Sequence, residues 1–151
     1  MSINETKKWF AEAVPVPNGK SSAVQFGCHL EEVVEMLGNI EVTANGESMI
    51  HLDLAKGYLK LLSLDLKQGF CQYQLKDRTA HLDALADQIV TAVGCAHMEG
   101  MDIQGALAEV NRSNWSKFVD GKPVFDENGK IKKGPGYSAP ELGRFVGESI
   151  A

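Results

Sequence analysis

Two short acidic segments carry the residues in this chain that are best suited to chemistry. The first, Glu31-Glu32-Val33-Val34-Glu35, has three carboxylates within five residues, and the second, Asp83-Ala84-Leu85-Ala86-Asp87, has two. Positions i, i+3 and i+4 share one face of an α-helix, so each segment predicts a patch of like charges that repel one another. If the two patches also face each other, divalent cations held by carboxylate oxygens would offset the repulsion. Such cations often hold a phosphate substrate too.

The surroundings of the two patches differ. The ordinary alternative for the first patch is a solvated helix face, because the apolar positions around Leu30, Val33 and Leu37 lie mostly on the opposite side of that helix. The second patch is followed by residues 89–96, which carry no charge. A helix that is apolar all round is expected to be buried, and an ionised carboxylate at its edge needs a partner. We therefore predict burial of this helix and a functional role for its two aspartates.

A third polar group lies further along the chain. Asn111 and Asn114 fall on the apolar stripe that Leu107 and Phe118 define. Amides on such a stripe need hydrogen-bond partners, and the ordinary explanation is that they cap or bridge neighbouring helices. The alternative is that they bind phosphate oxygens or metal-bound water together with Lys117, which lies one helical turn beyond Asn114.

The C-terminal region adds a basic loop. Lys130, Lys132 and Lys133 lie beside Gly134-Pro135-Gly136, and a basic, glycine-containing loop can close over phosphates. An ordinary solvated loop explains the same residues. Tyr137, which follows, is suited either to stack on a nucleotide base or to anchor the loop.

The elements that must position these residues are predicted to be helical. Helices are expected over about 4–14, 22–43, 48–67, 80–99 and 102–119, with Asn45-Gly46 as a stop signal. After residue 120, glycines and prolines leave room for a short hairpin at 127–129 and for a terminal helix opened by the capping box at 138–141. Short loops favour antiparallel neighbours. We expect an all-α antiparallel bundle, one domain over residues 1–151, with an irregular C-terminal segment and a short terminal helix.

Composition excludes several classes of protein. A net charge of -5 gives no general attraction for nucleic acid or for an anionic membrane. The three cysteines, Cys28, Cys71 and Cys95, form no CxxC unit, which argues against a disulfide framework or a zinc site and favours the reducing cytoplasm. No stretch approaches the roughly 20 apolar residues of a membrane span.

The order of these groups resembles the all-α nucleoside triphosphate pyrophosphohydrolases, the superfamily of MazG, dimeric dUTPases, dCTP pyrophosphatases and phosphoribosyl-ATP pyrophosphohydrolase. The segments that carry the resemblance run from about Phe10 to Leu142: the two acidic segments, residues 94–102, residues 109–117 and residues 134–142. One departure is that many members have Glu-x-x-Asp on the second acidic helix. Here Ala84 stands at the glutamate position, and the acid, Asp83, comes one residue earlier.

The resemblance implies a Mg²⁺-dependent reaction, with Mn²⁺ as an alternative cation. A nucleoside triphosphate, or a related phosphoribosyl nucleotide, would be hydrolysed at the α–β phosphate bond to a nucleoside monophosphate and pyrophosphate, in a housekeeping role. Glu32, Glu35, Asp83 and Asp87 would bind the metal, which would bridge the triphosphate oxygens and neutralise developing charge. Glu31 would act as the general base on the attacking water.

The resemblance also implies a nucleotide-binding set, Asn111, Asn114, Lys117, Lys133 and Tyr137. Proteins of this superfamily form homodimers or homotetramers, and we expect the same here. We expect a nucleotide as substrate and neither nucleic acid nor membrane as partner. Two alternatives stay open. One is a non-catalytic helical bundle that binds nucleotide or metal, which the departure at Ala84 keeps in play; the other is an interaction module whose acids are solvated.

Overall fold

The computed structural model describes residues 2–43 and 46–148, so Asn45 of the predicted stop signal lies outside the described residues. The described residues form five α-helices, α1 (Ser2–Ala13), α2 (Gly19–Gly38), α3 (Gly46–Gln68), α4 (Arg78–Met98) and α5 (Ile103–Trp115), and a 3-10 helix at Gly143–Phe145. They contain isolated β-bridge residues such as Val119 and Lys122 but no strand, which confirms the all-α prediction. None of their helices has the length and apolar character that crossing a bilayer requires.

The chain is organised as two compact units. The α1–α4–α5 unit contains the described residues of 2–15, 74–124 and 131–148, and the α2–α3 unit contains those of 16–73 and 125–130. The first acidic segment belongs to the α2–α3 unit and the second to the α1–α4–α5 unit. The assignment of residues 1–151 to a single domain stays a prediction.

In the α2–α3 unit, the N-terminal half of α2 packs against the C-terminal half of α3. The helix α2 begins with a capping box, in which Asn18 and Ser21 each accept a hydrogen bond from the backbone N–H of the other. The helices are in close contact at Gly27, whose carbonyl accepts a 2.7 Å hydrogen bond from Ser63 Oγ. A Cβ at Gly27 would lie 2.7 Å from Lys67 Cγ and 2.8 Å from Ser63 O, so glycine is what permits this separation.

In the α1–α4–α5 unit, α1 packs on α5 through an aromatic cluster and one polar contact. Trp9 is buried, and its ring centroid lies 6.0 Å from that of Phe118, just beyond α5. Thr6 Oγ1 donates a 2.9 Å hydrogen bond to Asn111 Oδ1. The helix α4 also borders α5 and is capped by Asp77, whose side chain accepts hydrogen bonds from two N–H groups of the first turn.

The exposure of α4 contradicts the expectation that this helix is buried. All of its residues are described, and only Ala96 is buried. Leu82 and Val90 are 68% and 66% exposed. A run of uncharged residues indicates that a helix can be covered, but burial also needs a covering surface, and the single chain leaves most of this one in solvent.

The C-terminal segment is irregular as predicted, but its short helix is not the expected one. The capping-box residues 138–141 do not start a helix, and the 3-10 helix begins at Gly143. The reason is that side chains of α5 and of its C-cap bind the backbone of this segment. The hydrogen bonds are Ser138 N to Ser116 Oγ (2.8 Å), Arg112 Nη2 to Ala139 O (3.0 Å) and Glu141 N to Glu109 Oε1 (2.9 Å).

Candidate functional site

Glu31, the predicted general base, is held by two lysines. Its Oε1 accepts a 2.7 Å hydrogen bond from Lys67 Nζ, and its Oε2 accepts one of 2.9 Å from Lys130 Nζ. Burial by itself would raise the pKa of Glu31, but the hydrogen bonds from the two ammonium groups outweigh burial and hold the pKa below its ordinary value of 4.5. Glu31 is therefore ionised at neutral pH. We call Glu31, Lys67 and Lys130 the Glu31 cluster.

Local structure fixes both lysines of this cluster. Lys67 lies in the last turn of α3 and packs beside Gly27, so only 15% of its side chain is exposed. Lys130 ends a tight turn in which Asp126 Oδ1 accepts a hydrogen bond from the backbone N–H of Lys130. Within that turn Gly129 has φ of 84°, a conformation that glycine favours. A turn is thus present where the sequence predicts one.

The electrostatics of the Glu31 cluster favour its charged form. The hydrogen bond to Glu31 raises the pKa of Lys130 above its ordinary value of 10.5. Burial raises the pKa of the neighbouring Cys28 thiol, which makes this thiol a poor nucleophile. A general base works best when its pKa lies near the working pH. With both lysines bound, Glu31 is therefore a weak base.

The four predicted metal ligands lie on two helices. Glu32 and Glu35 are exposed on α2, and Asp83 and Asp87 are exposed on α4. Over residues 2–43 and 46–148, no three His, Cys, Asp or Glu side chains gather in a metal-binding group. Magnesium is usually bound by one or two carboxylates together with substrate phosphates. Each pair of acids could supply the one or two carboxylates that magnesium needs. The complete set of four ligands stays a prediction.

Asn114 and Lys117 lie together at the end of α5. Lys117 Nζ donates a 2.7 Å hydrogen bond to Asn114 Oδ1 and lies 5.9 Å from the centroid of the Trp9 ring. Lys117 belongs to the turn after α5, not to the helix as predicted. The indole N–H of Trp9 is buried and has no acceptor in the described part of the chain. The pair therefore places a cation and an amide next to an aromatic ring at the end of α5.

Asn111 bridges two neighbouring helices, which is the ordinary explanation for an amide on an apolar stripe. It is buried, and its amide oxygen accepts the hydrogen bond from Thr6 that ties α5 to α1. It lies about one turn before Asn114 on α5. Its predicted role in binding nucleotide stays a prediction.

Lys133 and Tyr137 also lie together, in the loop that follows the tight turn. Lys133 Nζ lies 4.7 Å from the centroid of the Tyr137 ring, a cation–π arrangement. Between them, Gly134 lies so close to the turn after α5 that a Cβ there would be 3.1 Å from Lys117 O. The loop therefore packs beside Lys117, as a nucleotide-binding loop at that site would have to.

Sequence reasoning missed a second clamped carboxylate, Glu109. Only 7% of Glu109 is exposed, and Arg112 donates two hydrogen bonds to it, Nε to Oε2 at 2.9 Å and Nη2 to Oε1 at 2.7 Å. The backbone N–H of Glu141 donates a third, and Arg144 Nη2 lies 3.6 Å from Oε2. The Arg112 hydrogen bonds contribute most to lowering the pKa of Glu109 to about 2. We call Glu109, Arg112 and Arg144 the Glu109 cluster. The i, i+3 spacing of Glu109 and Arg112 was the one signal in the sequence that could have indicated this ion pair.

The comparisons with known proteins assign no family. No protein-family model, curated protein or solved structure matches this chain. The function must therefore be argued from the residues and their contacts.

Proposed function

We propose that this chain is a magnesium-dependent pyrophosphohydrolase of nucleoside triphosphates or related phosphoribosyl nucleotides. It would cleave the α–β phosphate bond, release a nucleoside monophosphate and pyrophosphate, and serve a housekeeping role. The observation that carries the proposal is the Glu31 cluster, which lies in the same α2–α3 unit as the exposed acids Glu32 and Glu35. Carboxylates that can hold a cation and ammonium groups that can bind phosphate oxygens are the two requirements of a magnesium–triphosphate complex.

The residues that would hold magnesium are the four exposed acids Glu32, Glu35, Asp83 and Asp87. Magnesium bound there would neutralise charge on the triphosphate and orient it. Glu31 would accept a proton from the attacking water at one of its carboxylate oxygens. Because two ammonium groups make Glu31 a weak base, this role requires Lys67 or Lys130 to exchange the carboxylate for phosphate oxygens of the substrate.

The residues at the end of α5 would bind the rest of the nucleotide. Asn114 and Lys117 would contact phosphate or ribose oxygens, and the neighbouring loop would contribute Lys133 and Tyr137. The Lys117 ammonium beside the Trp9 ring supports this assignment, because a cation at this place can contact a phosphate oxygen. Asn111 would act on the same ligand from one turn earlier, or hold α5 in position through its contact with α1.

We further propose that the chain self-associates as a homodimer or homotetramer. The exposed apolar side chains of α4 include Leu82, Ile89 and Val90, and on α3 Tyr58 and Leu61 are also exposed. Exposed apolar side chains that gather on one helix are typical of an interface. A second copy could cover those of either helix and would bring a second set of acids to the assembly.

The test is a pyrophosphate-release assay with a panel of nucleoside triphosphates and Mg²⁺. Wild-type protein should turn over at least one of them, and Glu35→Ala and Asp87→Ala should each lower kcat by about 100-fold or more, the size expected for losing a group that stabilises transition-state charge. Glu12→Ala, an exposed acid of α1 outside both patches, is the matched control and should keep full activity.

The alternative is a bundle that binds nucleotide or metal without turnover. It is favoured by the low pKa of Glu31, since a carboxylate held by two lysines is a weak base. Binding of Mg²⁺ or a triphosphate without pyrophosphate release, lost in the same two variants, would support this alternative. If the protein neither binds nor turns over these ligands, the interpretation that stays is a plain interaction module.

A further inference from the structure

A cleft in the α2–α3 unit shares only Lys67 with the residues assigned to the proposed reaction. It encloses about 350 Å³ between the start of α2, the end of α3 and the turn at residues 127–128. This volume lies within the range of about 300–1,000 Å³ that small-molecule sites occupy. The acids Glu32 and Glu35 are not among the residues that line it.

Two cations of the lining are held in place. Lys20 comes from the first turn of α2 and Lys67 from the last turn of α3. Lys67 is fixed by its 2.7 Å contact with Glu31. The stem of Lys20 runs beside the tight turn, since a Cβ at Gly129 would lie 3.9 Å from Lys20 Cε. Two lysines and one acid, Glu127, line this small volume, and the excess of positive charge suits an anion with several oxygens, above all a phosphate.

The rest of the lining suits an organic group attached to that phosphate. Ala23 and Leu66 are buried and contribute an apolar surface. Gln72 and Asn128 contribute amides, which can both donate and accept hydrogen bonds. An apolar surface bordered by amides accommodates a flat polar ring such as a nucleobase, whereas an inorganic ion would use neither feature.

We propose that this cleft binds a phosphomonoester of nucleotide size, with its phosphate on Lys20 and Lys67 and its organic part against Ala23 and Leu66. Binding requires neither magnesium nor the four exposed acids, so it can be tested separately from the proposed reaction. Because Lys67 also belongs to the Glu31 cluster, a phosphate in the cleft competes with Glu31 for that ammonium group.

The test uses the full chain in buffer with EDTA, so that magnesium-dependent turnover is silent. AMP and UMP are titrated as probes, with adenosine as the phosphate-free control, by calorimetry and by amide chemical shifts. The monophosphates should bind with Kd below about 1 mM and adenosine at least about tenfold more weakly, since a charge-assisted phosphate contact contributes about that factor. The largest shifts should be at residues 20–24, 66–72 and 127–128.

Three variants decide the site. Lys20→Ala should weaken AMP binding at least about tenfold, whereas Lys60→Ala, an exposed lysine of α3 outside the cleft, should leave it unchanged. Gln72→Trp should abolish binding by filling the cleft, and circular dichroism checks that each variant is folded. The proposal is overturned if no binding is seen up to about 10 mM, if adenosine binds as tightly as AMP, if the shifts lie elsewhere, or if the two lysine variants behave alike. Pyrophosphate release is measured separately, so failure of the cleft and failure of the proposed reaction are distinguishable.

Discussion

Two carboxylates in this chain are each held by two cations, but the clamps differ in kind. Glu109 is 7% exposed and receives the planar guanidinium of Arg112 together with the backbone N–H of Glu141. The side chain of Glu31 is 31% exposed and receives the ammonium groups of two lysines. A guanidinium fork and a backbone N–H hold a carboxylate in one geometry, whereas an ammonium is a point charge on a flexible stem.

The difference separates a structural clamp from one that can open. The Glu109 cluster holds residues 138–145 to α5, and opening it would release that segment. For the Glu31 cluster we expect the carboxylate to be exchanged for phosphate oxygens while the contacts between α2 and α3 at Gly27 are kept. The experiments that follow test this contrast, and the first is expected to have the largest effect.

Glu109→Gln should cause the greatest loss of stability of the variants considered. The change removes the charge shared by Arg112 and Arg144 and leaves their guanidinium groups without a carboxylate. The urea midpoint should fall, and proteolysis within the C-terminal segment should become at least about tenfold faster because the released state is more populated. Glu141→Gln is the control, since Glu141 contacts the cluster through its backbone. Equal effects of the two changes would mean that Glu109 is not a clamp.

Gly27→Ala should destabilise the α2–α3 unit by about 1–3 kcal/mol, the usual effect of overpacking. The new methyl would meet Lys67 and the backbone of Ser63, so the helices must separate and Lys67 must move from Glu31. Gly57→Ala is matched to it, because Gly57 lies in α3 and a Cβ there would meet nothing within 4 Å. That control should be neutral or stabilising by up to about 1 kcal/mol through helix propensity. The measurement is the free energy of unfolding from chemical denaturation followed by circular dichroism. Equal values for Gly27→Ala and Gly57→Ala would contradict the close contact at Gly27.

The two clamps should respond to pH at different ends of the scale. The pKa of Glu109 is lowered from 4.5 to about 2, so its stabilisation is complete above pH 4.5 and is lost as the pH falls towards 2. The lowered pKa of Glu31 has the same sign. The raised pKa of Lys130 gives stabilisation that is complete below pH 10.5 and is lost as the pH rises through a folded pKa above that value. The hydrogen bonds to Glu109 raise the pKa of Arg112 above the ordinary value of a guanidinium, so Arg112 stays charged and keeps the Glu109 cluster closed in that alkaline range.

Carboxyl-carbon NMR titration and hydrogen exchange would measure this contrast. The Glu109 resonance should titrate near pH 2 and that of Glu31 below 4.5. Above pH 10.5 exchange should rise in the turn at 126–130 before it rises at 138–145. Simultaneous loss of protection in both segments would contradict the distinction between the clamps.

Periodicity predicted the helices well, but the ends of some helices depended on single polar side chains. The second helix was expected to reach Thr43 and ends at Gly38. Asn39 ends it, because its side chain donates to Glu35 O and its backbone N–H to Met36 O. The fifth helix was expected to reach Val119 and ends at Trp115, where Ser116 turns its hydroxyl to the C-terminal segment.

The candidate site was less predictable because its contacts join distant residues. Glu31 meets Lys67 across 36 positions and Lys130 across 99, and helical spacing carries no information at such separations. The i, i+3 pair of Glu109 and Arg112 was visible in the sequence, but its burial was not, since that depends on the segment packed over it. Periodicity also could not reveal that most of α4 is exposed in the described part of the chain.

The smallest expected effect belongs to Lys130→Ala. The Lys130–Glu31 pair is partly solvated, so its loss should cost less than about 1 kcal/mol. The pKa of Glu31 should nevertheless rise, because one of the two hydrogen bonds that lower it is gone. Lys132→Ala, a neighbouring exposed lysine, should change neither quantity. Two results would contradict the idea that the Glu31 cluster is the clamp that can open. One is an unchanged pKa of Glu31 in Lys130→Ala, and the other is a loss of stability as large as that expected for Gly27→Ala. A small change in stability with a clear change in pKa would show that this contact tunes the carboxylate and does not hold the fold.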